Sequence, residues 1–178
     1  MSLKATTSSV SMTTSAGMSP AAIEQNNASY LWWYFVYMMS DQHHNRIEHW
    51  VDLSAKAEDV WAIIGDFGAI ADWHPAIETC EVVEIAGDTH RHLTLGDGAK
   101  VLEKLTETGP NFYRYSIVES PLPLENYLAT LTCSDLSEGG CRVFWSSIFD
   151  PLDPMADDIV RGVYDAGLEA LRKRVDGA

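Results

Sequence analysis

Five turn signals punctuate the second half of this chain: Gly87-Asp88, Gly96-Asp97-Gly98, Gly109-Pro110-Asn111, Ser120-Pro121-Leu122-Pro123 and Glu138-Gly139-Gly140. Parallel neighbours need a connection of a dozen or more residues, so the five or six strands set off by these short turns must run antiparallel. A sheet built this way has one apolar face to bury, and one later element can cover it. From Met155 to Val175, Ile159, Val160, Val163, Gly167, Ala170 and Leu171 recur at helical spacing. The segment opens on Asp157 and Asp158 and closes on Arg172, Lys173 and Arg174, the polarity that the helix dipole favours.

Ahead of the turns, Ile47, His49, Val51 and Leu53 alternate with Arg46, Glu48, Trp50 and Asp52, the period of a half-buried strand. Ser54 with Glu58-Asp59 suits a helix start, and the stripe Val60, Trp61, Ile64 stops at Gly65. Asp66 can cap a second short helix, Phe67 to Trp73, which Pro75 closes. The chain therefore reads as α+β: a curved antiparallel sheet of about seven strands wrapped around a long C-terminal helix, with two short helices between strands 1 and 2.

Charge and cysteine content narrow the partners. Twelve Lys+Arg against 26 Asp+Glu leave a net charge of -14, which repels phosphate backbones and anionic membranes, so nucleic acid is not an expected partner. Cys80, Cys133 and Cys141 are odd in number with no C-x-x-C pair, as expected of buried thiols in the reducing cytoplasm. Residues 1–45 read as a disordered or non-native extension before a domain at 46–175. The aromatic run Tyr30 to Met39 supplies ten of the ~20 apolar residues a membrane span needs, so it does not span. Either translation starts naturally at Met38 or Met39, or the run packs on the domain or on a second subunit; a monomer and a homodimer are both open.

The element order, with Val60-Trp61 through Asp66-Phe67 to Trp73-His74-Pro75 and the stretch Tyr115 to Tyr127, resembles the helix-grip superfamily. That group (SRPBCC) includes birch-pollen-allergen-like proteins, START lipid-transfer domains and polyketide cyclase/dehydrase-like proteins, and the last branch is the one these stretches look like. The resemblance covers about Arg46 to Val175. It implies an internal cavity for a small hydrophobic molecule, with lipid transport or ring chemistry as the associated roles and no cofactor. Plant abscisic-acid receptors share the architecture, and their gate and latch loops fall where Gly96 to Gly98 and Pro121 to Asn126 stand here, although the gate wording is absent. In those receptors an acid and a tyrosine at the positions of Glu103 and Tyr127 contact the ligand through water.

Alternation says which side chains line such a cavity. Arg91, Leu93 and Leu95 share one inner face, as do Val101, Glu103 and Leu105; later strands contribute Tyr113, Tyr115 and Ile117, then Tyr127, Ala129 and Leu131, then Trp145 and Ser147. The expected ligand-binding set is Arg91, Leu93, Val101, Glu103, Tyr113, Tyr115, Tyr127, Ala129, Trp145, Ser147, and from the long helix Val163 and Gly167. An inward Arg and Glu are the sharpest signals, because a buried charge costs several kcal/mol unless paired. Arg91 can hold a ligand carboxylate while Glu103 accepts a hydroxyl or acts as a base, or the two can simply bridge across their hairpin.

Glu103, Tyr127 and His74 are the candidate acid/base residues of a cyclase/dehydratase-like enzyme. His74 can equally cap a helix end. His90 and His92 share a strand face at metal-ligand spacing, but that face reads as solvated and no third ligand is evident, so no metal is expected. Three functions stay open: a ligand-binding protein, that enzyme, and a protein-interaction module using its exterior.

Overall fold

The computed structural model describes residues 44–177. The expected extension at 1–45, including the Tyr30 to Met39 run, lies outside them except for its last two residues. Asn45 already belongs to the first strand.

Strand β1 (Asn45–Leu53) is followed by helix α1 (Ala57–Ile64) and a single 3-10 turn (Ile70–Asp72). Six more strands then run in sequence: β2 (Ile77–Ile85), β3 (Asp88–Leu95), β4 (Lys100–Gly109), β5 (Phe112–Glu119), β6 (Leu124–Asp135) and β7 (Cys141–Pro151). Helix α2 (Ala156–Asp176) ends the fold. All seven strands form one antiparallel sheet in the order β1-β7-β6-β5-β4-β3-β2.

The second of the two short helices is smaller than the sequence suggests. Asp66 Oδ1 accepts the Gly68 N–H at 2.8 Å, folding Phe67 into a side-chain-capped turn rather than a helix start. Phe67 is thereby turned into the core, where it is 7% exposed. In the β3–β4 hairpin, Gly98 takes φ 84° and Asp97 Oδ1 accepts the Ala99 N–H, a turn that needs a glycine.

Helix α2 is unbroken. Asp153 Oδ1 accepts the Met155 N–H ahead of its first turn, Asp157 and Asp158 sit in that turn, and Gly177 at φ 69° closes the helix on the Lys173 carbonyl. Val160, Tyr164, Gly167, Leu168 and Leu171 form its buried stripe, with Tyr164 stacked on Trp145 of β7 at 4.4 Å. Among the described residues no helix is long and apolar enough to cross a membrane.

Candidate functional site

The concave face of the sheet divides into a filled end and an open end, and the Arg91–Glu103 pair stands at the boundary. The two residues are direct cross-strand partners on β3 and β4. Arg91 Nε donates to Glu103 Oε2 at 2.6 Å and Nη1 donates to the Phe67 carbonyl at 2.7 Å. The guanidinium lies 4.0 Å from the Phe67 ring centroid and 5.0 Å from that of Tyr115, a cation held between π faces.

Both charges are buried, and the pair is what makes that tolerable. Burial works against the Arg91 charge, but Glu103 outweighs it with help from Tyr113 and Tyr115, so the guanidinium is held above its ordinary pKa. For Glu103 burial is the larger effect, pushing the carboxyl up against the pull of Arg91. A neutral Glu103 would leave a permanent cation facing little but one carbonyl, so the pair is ionised near neutrality.

Beyond Glu103 lies a partly open cavity of about 70 Å³ under helix α2. Its wall is apolar, with Leu93 and Val101 from the sheet, Leu122 from the β5–β6 loop, and Ile159, Val160 and Val163 from the helix. Its polar groups are the Glu103 carboxylate and three tyrosines, Tyr115, Tyr127 and Tyr164. Trp145 Nε1 donates to Tyr115 Oη at 3.0 Å, and the hydroxyls of Tyr127 and Tyr164 share a 2.6 Å hydrogen bond. Burial pushes all three phenols above their ordinary pKa, so they act as hydrogen-bond donors and not as phenolates.

Of the sequence-derived set, Leu93, Val101, Glu103, Tyr115, Tyr127, Trp145 and Val163 line this cavity, and His74 joins them. Five residues do not, although all are buried. Arg91 is drawn onto Phe67 and Glu103, which leaves its Nη2 without a partner and the residue outside the cavity lining. Tyr113 is packed between Trp61 and Phe67 at the filled end. Ala129 faces inward but is too short to emerge between its larger neighbours, and Ser147 on β7 is likewise enclosed. Gly167 serves as a seat: a Cβ there would lie 2.5 Å from His74 Cδ2 and 3.1 Å from Trp145.

His74 is structurally committed at both nitrogens. Nε2 lies 2.9 Å from the Val163 carbonyl, which it meets as a donor, and Nδ1 accepts the Ala76 N–H at 3.2 Å. Burial holds its pKa below 6.5, so the ring is neutral and offers the cavity carbon edges rather than a mobile proton. The paired histidines also part company with the expectation of a solvated face: His92 is exposed, but His90 is buried, with Nδ1 2.9 Å from the Asp88 carbonyl. The alternation reading missed Tyr164, Ile70 and Ile77. Tyr164 was legible in principle, four residues after Val160 and seven before Leu171 on the same helical stripe.

Comparison with known proteins agrees with this architecture. Residues 44–176 match the model of a family described as polyketide cyclase / dehydrase and lipid transport. The chain is similar to the protein XoxI from Bacillus cereus, at 31% identity and TM-score 0.69 over 73% of this chain and 94% of that one. It is similar to an uncharacterised protein from Bacillus thuringiensis at 31% identity and TM-score 0.68, over 74% and 98% of the two chains. The ZhuI aromatase/cyclase of Streptomyces sp. R1128 shares the fold at 18% identity and TM-score 0.62, over 75% and 94%. No curated protein matches the chain.

Proposed function

Since the chain belongs to the polyketide cyclase/dehydrase and lipid transport family, we propose that it binds a small, largely apolar molecule, aromatic-, polyketide- or lipid-like, between helix α2 and the concave sheet. The observation that carries this reading is an apolar pocket under helix α2 whose lining includes one buried acid, Glu103, and three tyrosines, Tyr115, Tyr127 and Tyr164. Glu103 compensates Arg91 on one side and stands at the pocket wall on the other, which places an acceptor within reach of a bound molecule. Leu93, Val101, Trp145 and Val163 supply the apolar contacts. Glu103 accepts a hydrogen bond from a ligand hydroxyl, Tyr115 and Tyr127 complete the polar side, and Arg91 holds Glu103 in place from behind.

At about 70 Å³ the cavity falls well below the size range of small-molecule sites, so a ring-sized molecule fits only if a wall moves. Binding then selects an expanded state, and the affinity is reduced by the rarity of that state. The test is native mass spectrometry of the purified protein: a copurifying small molecule released on denaturation supports the reading, and its absence from Glu103→Leu assigns the anchor. A second reading, a cyclase/dehydratase-like enzyme, draws on Glu103 and Tyr127 lining one pocket, where the carboxylate can take a proton from a hydroxylated ring. It requires turnover of the bound compound that is lost in Glu103→Gln while binding persists. The cysteines Cys80, Cys133 and Cys141 are free thiols, in keeping with a cytoplasmic location.

A further inference from the structure

The sheet has a fork in it. Strands β5 and β6 pair from Phe112↔Thr132 to Ser116↔Leu128 and then separate. Past that point Ile117 and Glu119 remain on β4, while Leu124 and Glu125 remain on β7. The separation is built in by Asn126, at φ 53° in an irregularity between Glu125 and Leu128, whose Nδ2 donates to Asp150 Oδ2 at 2.6 Å and ties β6 to β7. Between the parted strands lies a groove of about 720 Å³, about ten times the volume of the cavity under helix α2.

Ile117 and Tyr127 line both spaces, so the partition between groove and cavity is made of side chains. A rotamer change at either needs no broken strand pairing, because the ladder there is already open. The groove alone falls within the size range of small-molecule sites, and the cavity alone does not. Ser116, Glu119, Ser120, Glu125 and Asn126 form its polar part, and among the described residues no Lys or Arg lines either space.

The geometry points to the β5–β6 fork as the entrance and outer half of the ligand site, taking an amphiphile with a hydroxyl or amine head. Its apolar body passes between Ile117 and Tyr127, an inner hydroxyl reaches Glu103, and its head donates hydrogen bonds at the rim. Glu119 and Glu125 outside and Glu103 inside oppose a carboxylate or phosphate head. This inference rests on the ligand-binding reading and adds to it a route and a head-group class.

The test uses N-phenyl-1-naphthylamine, a neutral fluorophore, with stopped-flow association and competition by decanol and decanoate at pH 7. Ile117→Trp, which thickens the partition, is expected to slow association tenfold or more, and Ile117→Ala to quicken it. Ile117→Ala keeps the test decisive if the Trp variant fails to fold by circular dichroism. Decanol is expected to displace the fluorophore at least tenfold more effectively than decanoate. Association slowed by Leu122→Trp but indifferent to both Ile117 variants places entry at the loop tip and overturns the fork while leaving the binding reading intact. Equal competition by decanoate overturns the head-group assignment. No binding of fluorophore, decanol or decanoate by the wild type overturns the binding reading itself, and the fork with it.

Discussion

The two ends of the concave face are built from the same strands with the same alternation, yet one is solid and the other hollow. At the filled end the Phe67 ring meets Tyr113 at 5.6 Å and Tyr115 at 6.2 Å, Trp61 closes on Tyr113 at 5.9 Å, and Arg91 lies over Phe67. At the open end Tyr115, Ile117 and Tyr127 look across a gap to helix α2 and Leu122. The difference comes from the segment between β1 and β2, which pushes the Phe67 ring into one end and gives the other only wall residues, Ile70 and His74. Whether an inward side chain becomes core or cavity wall is thus decided by what is lowered onto the sheet, not by the sheet.

The boundary between the ends should break most severely. Glu103→Leu strands the Arg91 guanidinium, which is 0% exposed, and is expected to cost about 3–5 kcal/mol in urea unfolding. Adding Arg91→Met on that background should recover most of the loss. A Glu103→Leu protein as stable as wild type would show that the carboxylate is dispensable to the fold and that its burial serves a ligand alone.

Next in size is the seat where helix meets sheet. In Gly167→Ala the new methyl falls 2.5 Å from His74 Cδ2, and His74 cannot retreat without releasing the Val163 carbonyl and the Ala76 N–H. A loss of about 1–3 kcal/mol follows, despite alanine's better helix propensity. A melting temperature that rises instead would mean that the ring moves freely and that the open end is softer than its hydrogen bonds suggest.

His74 also gives the two ends different responses to acid. Its folded pKa is lowered from 6.5, so below 6.5 the unfolded chain takes up a proton that the buried ring refuses. Stability from this group is complete above pH 6.5 and drains away as pH falls toward the folded pKa. Glu103 at the boundary carries no such liability near neutrality, where its pairing with Arg91 keeps it ionised. Urea midpoints between about pH 7.5 and pH 5.5 should therefore decline in the wild type and flatten in His74→Gln. Parallel curves would locate the acid sensitivity elsewhere.

Much of this arrangement was legible in the sequence, and the illegible part has one physical cause. Period-two alternation put Arg91, Glu103, Tyr113, Tyr115, Ala129, Trp145 and Ser147 on the inner face, and all are buried. The hairpin at Gly96 to Gly98 also fixed Arg91 opposite Glu103. Alternation assigns a face but carries no depth. It could not tell that Arg91 and Tyr113 sit under Phe67, that Ala129 and Ser147 are hidden behind bulkier neighbours, or that His90 is buried while His92 is exposed. Nor does it report where pairing stops, since Ile117 and Tyr127 keep their expected orientation on both sides of the fork.

The smallest effect is also the sharpest discriminator between the ends: one carbon added at the open end and two in the close-packed core. Val163 is half-buried at the cavity wall, and leucine there extends into about 70 Å³ of cavity space without displacing a neighbour. Burying the extra methylene is worth about 0.8 kcal/mol, and leucine is the better helix former, so Val163→Leu should be neutral or stabilising by up to ~1 kcal/mol. Ala129 is 1% exposed and lies opposite Tyr115 on the β5–β6 ladder, within close-packed core. Enlarging it in Ala129→Val forces neighbours from their rotamers and should cost about 1–3 kcal/mol, although valine is the better strand former. Opposite signs in thermal unfolding are expected, together with weaker binding of N-phenyl-1-naphthylamine by Val163→Leu because the space it needs is occupied. If both variants lose stability alike, the hollow end is as tightly packed as the solid one, and any ligand must lie wholly in the fork.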